Sequence, residues 1–180
     1  MSERDLNRLA GQVVDRLKVL NLRIVLAESC TGGLVSALLT RIPGVSEFHC
    51  GSAVVYQIAT KAEWLGVPKR LLRNPGPVSP EVAAKMASGV LAVTPHADLA
   101  SSVTGHLGPG APPAQDGLVY VAFTRRGQAS RGTKPKVKKI ELANEPGDKI
   151  KSPKLCRLRR QRSAAAHLLR WILEGLAEPK

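Results

Sequence analysis

The stretch that decides the fold runs Arg23-Ile24-Val25-Leu26-Ala27-Glu28-Ser29-Cys30-Thr31-Gly32-Gly33-Leu34-Val35-Ser36-Ala37-Leu38-Leu39. It opens with a short, mostly apolar run of the kind that forms a buried strand. It closes with a run that suits a helix. Between them stand small and polar residues ending in two glycines, which reads as strand, tight turn and helix N-terminus. In an open α/β sheet, ligands gather at such places, outside the carboxyl ends of strands and beside helix starts whose first N–H groups lack partners.

Working outward, Leu6, Leu9, Val13, Leu17 and Leu20 recur at helical spacing, so residues 3–20 are expected to form an amphipathic helix capped by Ser2 and ended by Asn21. After the break at Pro43-Gly44, Phe48 to Tyr56 reads as a second strand and Ala59 to Leu65 as a short helix. Val78-Ser79-Pro80-Glu81 is a helix start, with Val82, Met86, Val90 and Val93 expected along the buried stripe. Asp98–Thr104 and Gly117–Thr124 read as strands flanking a Gly/Pro-rich loop, and Val137–Leu142 as a fifth strand at the sheet edge. A loop over 144–153 and a helix from about 157 to 177 complete the chain. Alternating helices and apolar strands predict a three-layer α/β/α sandwich. The hairpin expected between Tyr120 and Ile140 makes the sheet mixed and mostly parallel. No repeat or linker divides residues 1–180, so a single domain is expected.

The 180 residues suffice for one full hydrophobic core. Cys30, Cys50 and Cys156 are scattered, with no CxxC pair, and suggest neither a disulfide framework nor a zinc site. There is no membrane-length apolar run and no signal-like start, so a cytoplasmic protein is expected. The net charge of +13 falls mostly after residue 124 and is densest from Lys151 to Arg162. Basic clusters identify no partner by themselves, and aromatic residues make up only 3%, too few to stack single-stranded bases. Nucleic acid is therefore not the expected partner.

The turn has two readings. Ser29, Thr31, Gly32 and Gly33 could simply cap a helix. They could equally present a serine nucleophile beside amides that bind an anion or an oxyanion, with the glycines leaving room for a substrate. Neither GxSxG, a Walker loop nor GxGxxG is present. A serine nucleophile needs a base. His49, His96 and His167 lie in unrelated settings, and only His106 sits in the glycine loop near the expected mouth. Tyr56 and Lys61 follow the second strand, and a lysine among apolar neighbours can lose its proton and act as base. A solvated helix lysine is the ordinary alternative.

Together these segments resemble the CinA C-terminal domain family, whose stand-alone form is the nicotinamide-nucleotide amidase PncC. The matching stretches are Ala27-Glu28-Ser29-Cys30-Thr31-Gly32-Gly33, Ile42-Pro43-Gly44-Val45-Ser46, Tyr56 with Lys61, Leu65-Gly66-Val67 and Gly76-Pro77-Val78-Ser79. Val103-Thr104-Gly105 through Gly108-Pro109-Gly110 and Gly117-Leu118-Val119-Tyr120-Val121-Ala122 follow in the same order, so the resemblance spans about residues 5–125. It implies hydrolysis of nicotinamide mononucleotide, a small-molecule nucleotide, to nicotinic acid mononucleotide and ammonia without metal or other cofactor. It also implies a homo-oligomer. Carried over residue by residue, Ser29 is the nucleophile, Lys61 its base and Tyr56 an aid to proton transfer. Thr31, Gly32, Gly33, Thr104, Gly105 and His106 line the substrate site. A regulatory, non-catalytic member of the same fold is the alternative. Departures from the family pattern are His106-Leu107, Gln57-Ile58-Ala59-Thr60, and Lys154-Leu155-Cys156-Arg157 in place of a Gly-Asp-Arg turn. From that last region, Arg157 or Arg159 is the candidate to reach a phosphate.

Overall fold

Strand β1 (Ile24–Glu28) lies inside a five-stranded sheet of order β2-β1-β3-β4-β5, with β2 at His49–Val54, β3 at Leu99–Gly105, β4 at Leu118–Arg125 and β5 at Lys136–Glu141. The computed structural model describes residues 1–108, 110–127, 133–142 and 152–177. β1 pairs parallel with both β2 and β3, while β4 runs antiparallel to β3 and β5 antiparallel to β4. The mixed sheet expected from the hairpin is therefore present, and its parallel strands surround β1.

Both faces of β1 are buried because its side chains alternate between two cores. Ile24 and Leu26 enter one, with α1 (Glu3–Leu20), α2 (Leu34–Leu39) and α6 (Pro153–Ala177) packed above. Val25 and Ala27 enter the other, beneath α3 (Ile58–Leu65), α4 (Lys69–Arg73) and α5 (Pro80–Ala92). Three layers result. The strongest caps are those legible in the sequence. The Ser2 hydroxyl accepts from the Asp5 N–H at 3.1 Å while the Asp5 carboxylate accepts from the Ser2 N–H at 3.1 Å, a reciprocal capping box. The Ser79 hydroxyl accepts from the Val82 N–H at 3.3 Å, with Pro80 in the first turn. Asn21 ends α1 in the left-handed conformation, φ 48°.

Three expectations need correcting. Val93 is not in the buried stripe of α5, because the helix ends at Ala92 and leaves it 62% exposed. α4, between Pro68 and the loop before α5, had no counterpart in the sequence reading. α6 begins at Pro153 rather than near 157, since proline is tolerated in a first turn. The loop expected over 144–153 lies almost wholly outside the described residues, as does Pro109. Among the described residues no helix is long and apolar enough to cross a membrane.

Candidate active site

The carboxyl end of β1 delivers Ser29, and that of the neighbouring β3 delivers Thr104 and Gly105. Ser29 is pinned by its own backbone: its N–H donates to the Val103 carbonyl at 3.1 Å, and its carbonyl accepts from Gly32 N–H at 3.0 Å. The second bond closes a tight turn, which Gly32 (φ 64°) and Gly33 (φ 93°) complete in left-handed conformations that a side chain would strain. A Cβ at Gly32 would lie 3.5 Å from the Gln161 amide nitrogen, and one at Gly33 would lie 3.4 Å from a Val54 methyl. Both are ordinary contact distances, so it is the left-handed backbone that calls for glycine at these two positions.

From the other side of β1, α3 sends Lys61 back beneath the sheet end. The lysine is only 2% exposed, and its Nζ lies 2.7 Å from Ser29 Oγ and 2.6 Å from the Val55 carbonyl oxygen. The solvated alternative is therefore wrong for this residue. Burial pushes the amine down from 10.5 to about 8. When charged, the amine donates to both oxygens. When neutral, it keeps the carbonyl bond and accepts the serine proton. Burial also pushes the Cys30 thiol up to about 12, so it stays a protonated core group.

Ser29 and Lys61 open into a cavity of about 250 Å³, whose wall includes Tyr56, Thr104, His106 and Arg157. Thr104 is buried, and its hydroxyl donates to the Pro77 carbonyl at 2.9 Å, fixing the loop opposite. Gly105 also lines the cavity, and a Cβ there would come within 2.6 Å of Val119, so no larger residue fits. His106 is part of the wall, anchored by its N–H to the Leu118 carbonyl at 2.8 Å, but the partner of Ser29 is Lys61. Tyr56 stands at the rim, 58% exposed, and its hydroxyl accepts from Arg157 at 2.6 Å. Arg157 also donates to the Gly108 carbonyl at 2.7 Å. Arg159 does not line the cavity.

Not every expected site residue reaches this cavity. Thr31, Gly32 and Gly33 are absent from its wall. The Thr31 hydroxyl points back to Glu28 Oε2 at 2.7 Å, and its carbonyl accepts from Gln161 Nε2 at 2.9 Å. Two of the helix-start amides, expected to hold an oxyanion or a phosphate, are already engaged. The Val35 and Ser36 N–H groups donate to the Glu28 carboxylate at 3.1 and 2.8 Å. The sequence reading missed Glu28 in this role, although a carboxylate ending an otherwise apolar buried strand is itself a signal that donors must surround it. It also missed the clamp behind the loop, where buried Arg160 grips Asp116 with two bonds of 2.7 and 2.9 Å. A Cβ at Gly108 would press on both side chains, within 2.8 Å of Asp116 and 2.9 Å of Arg160. Among the described residues no cluster of His, Cys, Asp and Glu is arranged to hold a metal ion.

The family model for the CinA C-terminal domain matches residues 6–144. A CinA-like protein of Dictyoglomus thermophilum is 46% identical over 120 residues, covering 66% of this chain and 29% of the relative. A putative competence-damage inducible protein of Halothermothrix orenii is 40% identical over 150 residues, covering 82% of this chain and 34% of the relative. The chain thus spans about a third of the length of these curated relatives. Among solved structures, the competence/damage inducible protein CihA of Agrobacterium tumefaciens superimposes with a TM-score of 0.81 at 30% identity, over 97% of this chain and 96% of that one. The competence damage-inducible protein A of Klebsiella pneumoniae gives a TM-score of 0.82 at 26% identity, over 97% and 99%. The family model's match over residues 6–144, with relatives 40% identical or more, makes this chain a member of the CinA C-terminal domain family.

Proposed function

We propose that the chain is a serine amidohydrolase that converts nicotinamide mononucleotide to nicotinic acid mononucleotide and ammonia. The observation that carries this reading is the 2.7 Å approach of a buried lysine amine to a serine hydroxyl at the floor of an open cavity. Nucleophile and base are both side chains of the protein. Neutral Lys61 takes the Ser29 proton as Oγ attacks the carboxamide carbon. The oxyanion that forms is assigned to the N–H of Cys30, which follows the nucleophile and belongs to a residue lining the cavity. The Lys61 ammonium then returns the proton to the leaving nitrogen, the carbon–nitrogen bond breaks and ammonia departs. Water, deprotonated by the same amine, cleaves the resulting ester and releases the carboxylic acid. Tyr56, joined to Arg157 at the rim, lines the mouth of the cavity and helps to orient the substrate.

The phosphate falls to Arg157. Among the described residues, the cavity wall carries the lysine and arginine side chains of Lys61 and Arg157; Lys61 is committed to Ser29 and Val55, whereas Arg157 holds the neutral oxygens of Gly108 and Tyr56, which a phosphate can replace. Arg157→Ala is therefore expected to raise KM by roughly tenfold, corresponding to about 1–2 kcal/mol of charge-assisted hydrogen bonding, with a smaller effect on kcat. Steady-state kinetics on nicotinamide mononucleotide checks this, and an unchanged KM removes Arg157 from the site. The function itself is tested by incubating the purified protein with nicotinamide mononucleotide and measuring ammonia. Catalytic release supports the assignment, and its absence at all pH values from 6 to 10 ends it.

A further inference from the structure

Beneath Ser29 lies a carboxylate that none of the steps above uses. Glu28 has no exposed surface, and four donors converge on it from three segments. From the serine turn comes the Thr31 hydroxyl, 2.7 Å from Oε2. From α2 come the Val35 N–H, 3.1 Å from Oε2, and the Ser36 N–H, 2.8 Å from Oε1. From β2 comes the Ser52 hydroxyl, 3.4 Å from Oε1. A buried carboxylate tolerates so dry a setting only when its oxygens are filled with donors, and once filled it cannot move without breaking several bonds together. α2 has no other side-chain cap, since its N-cap is Gly33. The far side of the turn is held by Gln161 on the Thr31 carbonyl and by Val103 on the Ser29 N–H.

We propose that Glu28 is a positioning residue for the nucleophile: its carboxylate ties the serine turn, α2 and β2 into one unit that keeps Ser29 Oγ within reach of Lys61 Nζ. The proposal rests on the serine-amidase reading for its kinetic consequences, though not for its geometry. Glu28 acts through Thr31 and the α2 amides and does not touch the cavity. By filling those amides it also leaves them nothing to offer a substrate phosphate, in keeping with the assignment of that group to Arg157. A misplaced nucleophile loses rate more than affinity, and shifts of about 1 Å reduce rates on the order of 10²-fold.

Three variants separate positioning from simple helix capping. Thr31→Val removes only the tie between the carboxylate and the turn, leaving the α2 amides capped. Glu28→Gln keeps the shape, one acceptor oxygen for the Ser36 N–H and a tie to the turn through an NH2 group that donates to a rotated Thr31 hydroxyl, but it leaves the Val35 N–H without its acceptor. Glu28→Ala removes every tie. The expected order of kcat is wild type, then Glu28→Gln, then Thr31→Val, then Glu28→Ala, spanning on the order of 10²-fold with KM nearly constant. Melting curves identify any variant that fails to fold, and if Glu28→Ala does so the other two decide the outcome. A second reading needs no substrate: carbon-13 labelling at lysine Cε follows the Lys61 amine directly. It is expected to titrate near 8 in the wild type and Glu28→Gln, and to move back toward the ordinary lysine value where the turn loosens and water enters. If the wild type releases no ammonia from nicotinamide mononucleotide, the substrate assignment fails and this titration still judges Glu28. Folded Thr31→Val and Glu28→Ala proteins whose melting point falls while kcat and the Lys61 titration stay at wild-type values would show a mere cap and overturn the proposal.

Discussion

Replacing Ser29 with alanine is expected to abolish ammonia release from nicotinamide mononucleotide, lowering kcat on the order of 10⁴-fold or more, because no other hydroxyl shares its position against Lys61. The fold should survive. The lost hydroxyl accepts one bond from Lys61, while the turn itself is held by the Ser29 backbone and by Glu28, neither of which changes. A loss of about 1 kcal/mol is expected, seen as a drop of a few degrees in melting temperature. Substrate affinity, measured by calorimetry with the inactive variant, should stay close to the wild-type KM. Ammonia release near the wild-type rate by Ser29→Ala would remove the serine from the mechanism.

The second large effect belongs to Lys61→Met, which fills the same volume without an amine. Turnover should vanish at every pH. In the wild type the rate should climb as Lys61 loses its proton around pH 8 and level off above it, because only the neutral amine accepts the serine proton. The same group shapes stability. In the unfolded chain it holds its proton to about pH 10.5, but in the folded protein only to about 8. Between these values folding releases a proton, so wild-type stability rises with pH, whereas below about 8 the buried charge is a standing penalty. The methionine variant lacks this dependence. Denaturant unfolding at pH 7.5 and pH 10 should therefore show the wild type gaining about 2–3 kcal/mol on the variant across the interval. A gap that does not change with pH would mean Lys61 is not held as a depressed amine.

Much of this was legible in the residues, for identifiable reasons. β1 could be read because it is apolar on both faces and is followed by a small-residue turn that ends in Gly32 and Gly33. α1 and α5 announced themselves through Ser2 and Ser79, whose caps are local chemistry. The nucleophile was a candidate because it sits where strand, turn and helix meet. Lys61 was harder, since a lysine on a short helix is ordinarily solvated, and only the resemblance to a family pointed inward. What escaped were partnerships between distant segments. Glu28 lies within the quoted motif, yet its partner Ser52 comes from another strand. Gln161 reaches the serine turn from the last helix, where only Arg157 and Arg159 had been singled out. Part of the basic surplus likewise proves structural. Arg126 donates to the carbonyls of Leu91, Thr94 and Ala97 at the end of α5, and Lys138 pairs with Glu174 at 3.0 Å. Charge counted along the chain says nothing of such bonds.

Under the proposed mechanism Ser29 becomes acylated during turnover, and intact-protein mass spectrometry on a rapidly quenched reaction tests this most directly. With nicotinamide mononucleotide at saturation, the expected result is a transient species heavier by the nicotinoyl-nucleotide acyl group, mapped by peptide digestion to the segment holding Ser29 and missing in Ser29→Ala. Steady ammonia release with no adduct on Ser29 at any quench time, and with Ser29→Ala still active, would contradict it.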